Sequence, residues 1–161
     1  MTRRPLLALL CTLGLTARTG RAQTPATPSM PKIEPLRLTD AEWKKRLAPA
    51  AYDVLRHEGT ERPGSSPLND EHRKGVFHCA GCELALFASD SKFDSGTGWP
   101  SFFTSLPGAV VTKTDLKLIV PRTEYHCARC EGHQGHVFDD GPRPTGKRYC
   151  NNGVALKFVP A

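Results

Sequence analysis

No stretch of about 18 or more apolar residues occurs in the 161-residue chain, which excludes a membrane-spanning helix of ordinary length. No internal repeat is present, so solenoids and propellers are excluded and the length suits one domain with an appendage. Acids are missing from residues 1–22, where Arg3, Arg4, Arg18 and Arg21 supply most of a formal net charge of +6. Without those four arginines the +6 falls to +2, so the basic charge argues little for a nucleic-acid partner. A βαβ pattern of the kind that houses a thioredoxin-like redox pair is also lacking.

Residues 1–22 read as an export signal: a positive start, an apolar run over 5–15, and Gly20-Arg21-Ala22 as a small-x-small cleavage site. Arg3-Arg4, one variable residue and Leu6-Leu7 resemble the twin-arginine export motif, with an ordinary unfolded-export signal as the alternative. Cys11 follows Leu10, which is not small, so it does not mark a lipid-anchored start. Residues 23–35 are rich in Pro, Thr and Ala and predict a disordered linker. The expectation is therefore a periplasmic or secreted domain over 36–161, with no stable membrane insertion after processing.

The domain opens with Thr39-Asp40-Ala41-Glu42, a capping box, with Leu38 and Trp43 at the two positions of a hydrophobic staple. A short helix ending before Pro49 and a second amphipathic stretch over 50–57 follow, then a loop over 59–67. Beyond it come short runs at 76–79, 84–88, 110–112, 116–120, 125–127, 136–138, 148–151 and 154–158, broken by Gly, Pro and Asp. The fold class expected is mainly β: a small antiparallel β domain with short N-terminal helices, braced by the cysteine pairs Cys79-x-x-Cys82 and Cys127-x-x-Cys130 as a zinc site.

Cys79-Ala80-Gly81-Cys82 and Cys127-Ala128-Arg129-Cys130 are matching Cys-x-x-Cys pairs. A tight turn with two intervening residues aims two sulfurs at one point, and two such turns close a tetrahedral Zn²⁺ site. Two disulfides or a redox-active dithiol are the alternatives that the export signal brings forward. Against them, two intervening residues make a strained loop for a structural disulfide. A closed site of four cysteines has no open position, so one structural Zn²⁺ per chain is expected.

That leaves Cys150 as the one cysteine of the mature domain without a structural partner. On a strand, residues two apart face the same side, so Arg148, Cys150 and Asn152 project together. A guanidinium favours a thiolate, and a carboxamide can donate to an oxygen. Spacing alone leaves an inert buried thiol equally open. His133 and His136 flank Gly135, and imidazoles titrating near neutrality are suitable proton donors. Trp99, after the glycines of 95–98, is either a core anchor or a flat apolar face for a methyl group.

Taken together, the paired knuckles, Gly98-Trp99-Pro100-Ser101-Phe102, His133-x-Gly135-His136-Val137-Phe138, Asp140-Gly141-Pro142 and Arg148-Tyr149-Cys150-x-Asn152 resemble the B-type methionine sulfoxide reductases, the peptide-methionine (R)-S-oxide reductases. The resemblance covers about residues 33–158. It implies a thiol-dependent reduction of methionine-R-sulfoxide, protein-bound and free, through a sulfenic acid on Cys150. It also implies a substrate-methyl contact for Trp99 and a catalytic network of His133, His136, Asn152, Arg148 and Asp140. The implied partners are oxidised proteins or peptides and an external thiol reductant of thioredoxin-like kind, acting on a monomer that repairs oxidised protein.

The chain departs from the family pattern at Thr97, where many members carry a resolving cysteine, and at Gln134, Asn151 and Gly153. A zinc-braced binding module without chemistry and a zinc-ribbon nucleic-acid binder are the rival classes. Neither has use for Arg148-x-Cys150-x-Asn152.

Overall fold

The computed structural model describes residues 32–116 and 121–161, so the expected export signal and positions 23–31 of the expected linker lie outside the described residues, as do positions 117–120 of the expected 116–120 strand. Helix α1 spans Asp40–Arg46 and starts as its sequence predicts. Thr39 Oγ1 accepts from the Glu42 backbone N–H, and the Glu42 carboxylate reaches back to the Thr39 N–H. Helix α2 spans Pro49–His57, with a proline in the first turn, where its missing N–H costs nothing. No helix among the described residues is long and apolar enough to cross a membrane.

The strands are β1 (Gly75–Cys79), β2 (Ala85–Ala88), β3 (Lys92–Phe93), β4 (Ser101–Phe102), β5 (Val110–Asp115), β6 (Arg122–Cys127), β7 (His133–Phe138), β8 (Arg148–Asn151) and β9 (Leu156–Pro160). They form two antiparallel sheets, one ordered β2-β1-β9 and the other β3-β4-β8-β7-β6-β5. Two differences from the sequence reading are plain. β3 and β4 are two residues long, too short to show a period, and the expected 154–158 run divides into a 3-10 turn at Gly153–Ala155 and β9.

Aromatic rings fill the space between the sheets. Phe87 stacks on Phe102 at 4.2 Å between ring centroids, Phe77 meets Phe102 edge-on, and Tyr125 meets Tyr149 edge-on. Tyr149 thus turns to the core while its strand neighbours Arg148 and Cys150 serve the other face, as alternation along a strand requires. Arginines close the helical side. Arg46 Nε donates to the Gly81 carbonyl, Arg56 Nη1 to Cys130 O and Arg129 Nη1 to Cys82 O, so both helices and both knuckles are tied at their backbones.

Candidate active site and metal centre

The two knuckles are built alike. In each, a strand ends in His-Cys, two residues turn, and a second cysteine is followed by a glutamate with φ near +60°: Glu83 at 63° and Glu131 at 58°. The glutamate N–H donates to the first cysteine's carbonyl, and its own carbonyl faces Nδ1 of the preceding histidine, His78 at 2.8 Å and His126 at 3.0 Å.

The four sulfurs meet in the core. Cys79 Sγ lies 3.6 Å from Cys130 Sγ and Cys82 Sγ lies 3.4 Å from Cys127 Sγ, with all four ligand atoms within 4.8 Å of one another. A disulfide needs about 2.05 Å, whereas tetrahedral zinc at about 2.3 Å from sulfur sets sulfur–sulfur edges near 3.8 Å. All four cysteines are free and buried, and the donor set fits a metal ion. Hydrogen bonding to Cys127 pushes the Cys79 and Cys130 thiols up and holds Cys82 down, as expected of thiols too close to ionise together. Gln134, buried beside them, donates its Nε2 to Cys79 Sγ at 3.3 Å.

Cys150 stands elsewhere. Strand register sets His136 of β7 directly across from Cys150 of β8, and Phe138 across from Arg148. Backbone approach is close here: a Cβ on Gly135 would lie 1.9 Å from the Cys150 carbonyl oxygen, so glycine is required at that position. Cys150, His136, Asn152, Trp99, Thr60, Arg122 and Phe138 line a cavity of about 180 Å³. The half-buried thiol opens onto it.

Burial pushes the Cys150 thiol up, while the Arg148 charge and the Thr97 hydroxyl pull the other way. Arg148 is itself fixed by a two-pronged pair, Nε to Asp140 Oδ1 and Nη2 to Asp140 Oδ2, both at 2.8 Å, with its guanidinium 4.3 Å over the Phe138 ring. The pairing also lowers the Asp140 carboxyl below its usual range.

The Asn152 carboxamide is oriented by backbone on both sides. Its Oδ1 accepts from the Glu61 N–H at 3.0 Å, and its Nδ2 donates to the Gln134 carbonyl at 3.1 Å. One N–H of that amide remains for a ligand in the cavity.

Of the residues picked from sequence, Cys150, His136, Asn152 and Trp99 share the cavity, and Arg148 with Asp140 braces the thiol from behind. His133 does not line it. Its buried ring lies edge-on behind His136, 5.5 Å between centroids, and burial holds its pKa down to about 4.

Thr60 and Arg122 line the cavity without having been picked, and three further contributors were missed. Glu61 accepts from the Gly153 and Val154 N–H groups with its carboxylate, and its carbonyl accepts from Trp99 Nε1 at 3.2 Å, so it aligns both ends of the cavity. Asp115 accepts from His136 Nε2 at 2.9 Å and from Arg122 Nη2 at 2.6 Å. Thr97 sits in the turn before Trp99, where Gly98 at φ +89° makes the bend. The motif around Trp99 pointed to that turn, but no spacing signal marks Glu61 or Asp115.

A family model described as the SelR domain matches residues 47–160. The chain belongs to the SelR family of B-type methionine sulfoxide reductases. It is 50% identical over 123 residues to "Peptide methionine sulfoxide reductase MsrB" of Agrobacterium fabrum, covering 76% of this chain and 91% of that protein. The protein of the same name from Pseudomonas savastanoi pv. phaseolicola is 52% identical over 80% of this chain and 98% of its own length. That from Methanosarcina barkeri is 53% identical over 74% and 85%. These names support peptide methionine sulfoxide reductase activity for the chain.

Proposed function

We propose that Cys150 is the nucleophile of a thiol-dependent reduction of methionine-R-sulfoxide, in oxidised proteins and in the free amino acid. The thiolate sulfur attacks the sulfoxide sulfur, the oxygen passes to the cysteine as it is protonated, and methionine leaves as the thioether. Two electrons move from the cysteine to the substrate, and Cys150 is left as sulfenic acid. The observation that carries this reading is one thiol, half-buried, opening onto a small cavity between an indole and a set of hydrogen-bond donors.

Each neighbour takes a part consistent with its position. Trp99 gives the methyl group an apolar face, and Glu61 holds that indole by its N–H. Asn152 and His136 stand where the departing oxygen would be, with Asp115 fixing the imidazole. Arg148, steadied by Asp140, favours the thiolate. His133 positions His136 from behind rather than touching substrate.

The other described cysteines are gathered in the knuckles, so the sulfenic acid is returned to thiol by an external reductant. One thiol condenses with it, releasing water and forming a mixed disulfide, and a second thiol resolves that bond. The four-sulfur site holds one structural zinc in this reading, a cross-link between distant segments with no open coordination position. The protein works as a monomer, exported through the twin-arginine route suggested by Arg3 and Arg4. Arg3→Lys with Arg4→Lys should then retain an active precursor in the cytoplasm. Export at the normal rate would contradict that route.

The test of the reaction is incubation of purified protein with dithiothreitol and each methionine sulfoxide epimer separately. Methionine should form from the R epimer alone, because a single placement of methyl and oxygen fits between Trp99 and the donors. Equal turnover of both epimers would defeat the proposal.

A further inference from the structure

We propose that Glu124, His126 and His133 form a second metal site, separate from the four sulfurs, that takes a borderline divalent cation such as Zn²⁺ through two imidazole nitrogens and one carboxylate oxygen. The backbone assembles it. Glu124 and His126 alternate along β6 and share a face, while His133 on β7 is the register partner of His126. Their ligand atoms all lie within 4.8 Å of one another. Two histidines and a carboxylate are a donor set suited to zinc and its neighbours.

The three residues are only 4%, 7% and 1% exposed, and their polar atoms are poorly served by the protein itself. His126 Nε2 and both His133 ring nitrogens are buried without hydrogen-bond partners. His133 Nδ1 is 3.1 Å from Glu124 Oε2 and His126 Nε2 is 3.5 Å from Glu124 Oε1, approaches that lack hydrogen-bond geometry. Burying polar atoms without partners is unfavourable, and a cation between them removes that cost.

His126 is prepared as a ligand by the knuckle it precedes. Its Nδ1 faces the Glu131 carbonyl at 3.0 Å, which places the proton on Nδ1 and leaves the Nε2 lone pair facing Glu124 and His133. The matching His78 makes the same bond in the first knuckle without acquiring a site, since the pair of buried unpartnered histidines belongs to the second knuckle alone among the described residues.

Tetrahedral nitrogen and oxygen ligands at about 2.0–2.1 Å from a metal stand about 3.4 Å apart, so a separation of up to 4.8 Å has to close by at most about 1.4 Å, within reach of side-chain rotation. A cavity of about 360 Å³, lined by His126, His133, Glu58 and Lys113, leads to the cluster. The resident competitor is the half-exposed Lys113 ammonium, 2.9 Å from Glu124 Oε1 and also paired with Glu58. The Glu124 Oε2 side faces His133 and is the open one. A cation held there would pin the ring that lies behind His136.

The experiment titrates the purified full-length protein with Zn²⁺ against a competing chelator and counts bound metal. A thiol-specific mercurial counts separately the part released from cysteines, so a failure of zinc at the knuckles is not mistaken for a failure here. Two equivalents are expected, of which the mercurial releases one. His126→Ala and Glu124→Gln should each lose the mercurial-resistant equivalent and keep the other. Lys113→Ala, a change at the surface, should keep both and bind the resistant one more tightly. Wild-type protein with no mercurial-resistant zinc would overturn the proposal, as would a resistant equivalent that survives in His126→Ala.

Discussion

The four knuckle sulfurs and the sulfur of Cys150 are the same functional group in opposite surroundings. At the knuckles each thiol is buried, faces other thiols and receives at most one side-chain donor, Gln134 on Cys79. At Cys150 the thiol is half open to a cavity and meets a cation and a hydroxyl. The first arrangement is a donor set that could hold a metal ion, which would answer the thiolate charge and leave no sulfur free. The second answers it with side chains at one flank and leaves the other flank for a substrate. The proposed function assigns stability to one set of cysteines and chemistry to the other, and exchanging serine for cysteine at each place separates the two.

The largest effect on turnover is expected at the open thiol. Cys150→Ser should reduce R-sulfoxide reduction at least roughly 10³-fold, as loss of a nucleophile does elsewhere. Metal content should be unchanged and stability altered by less than about 1 kcal/mol, since the side chain is nearly isosteric and half-buried. Chemical denaturation and metal analysis on the same preparation check both halves.

At the closed site the pattern reverses. Cys79→Ser should lose the thiolate-bound metal and several kcal/mol of stability, because binding energy there is folding energy. Turnover should persist in whatever fraction remains folded at low temperature. A Cys79→Ser protein that keeps its metal and melting temperature would place the brace elsewhere.

A smaller effect sharpens the electrostatic half. Burial raises the Cys150 thiol and Arg148 opposes it, so in Arg148→Ala the thiol rises further and less thiolate is present at any given pH. The rising limb of kcat/KM against pH should move to alkaline pH, a loss near neutrality that high pH recovers. Arg148→Lys should recover little, since an ammonium cannot reproduce the two-pronged contact with Asp140. The smallest effect is expected at Thr97→Val, which removes one hydroxyl from the thiol and should cost about 1 kcal/mol in ΔΔG‡, read as a fewfold drop in kcat/KM.

The same two regions show what a sequence discloses. Each knuckle is a local turn, so its ligands are fixed by a spacing of three, and the capping box of α1 is local too. Cys150 could be singled out by elimination, and its partners His136 and Asn152 lie near it along the chain. The side chains that hold the cavity in shape do not. Glu61 reaches Gly153 across a separation of 92 residues, from a loop whose composition suggested only a turn. Asp115 reaches His136 over 21 residues at the end of a strand predicted to stop at 112. Such contacts depend on how the sheets are layered, which a period of two along each strand does not specify. Gln134 and Asn151, two of the departures from the family pattern, form a buried chain with Tyr125: its hydroxyl donates to Asn151 Oδ1 at 2.7 Å, and Gln134 goes on to the knuckle sulfur. His133 was legible as a histidine near His136, but its place next to that ring on the same face of the sheet follows from the register shift at Tyr125 and His126, which skips Gln134.

The most direct test of Cys150 as the oxygen acceptor is a single turnover without reductant. Protein mixed with excess methionine-R-sulfoxide and a sulfenic-acid trap should release one methionine per chain and then stop, with the trap found by peptide mass spectrometry on Cys150 alone. Release of methionine with the label on Cys79, Cys82, Cys127 or Cys130, or undiminished release from Cys150→Ser, would contradict the division between the closed and the open thiols.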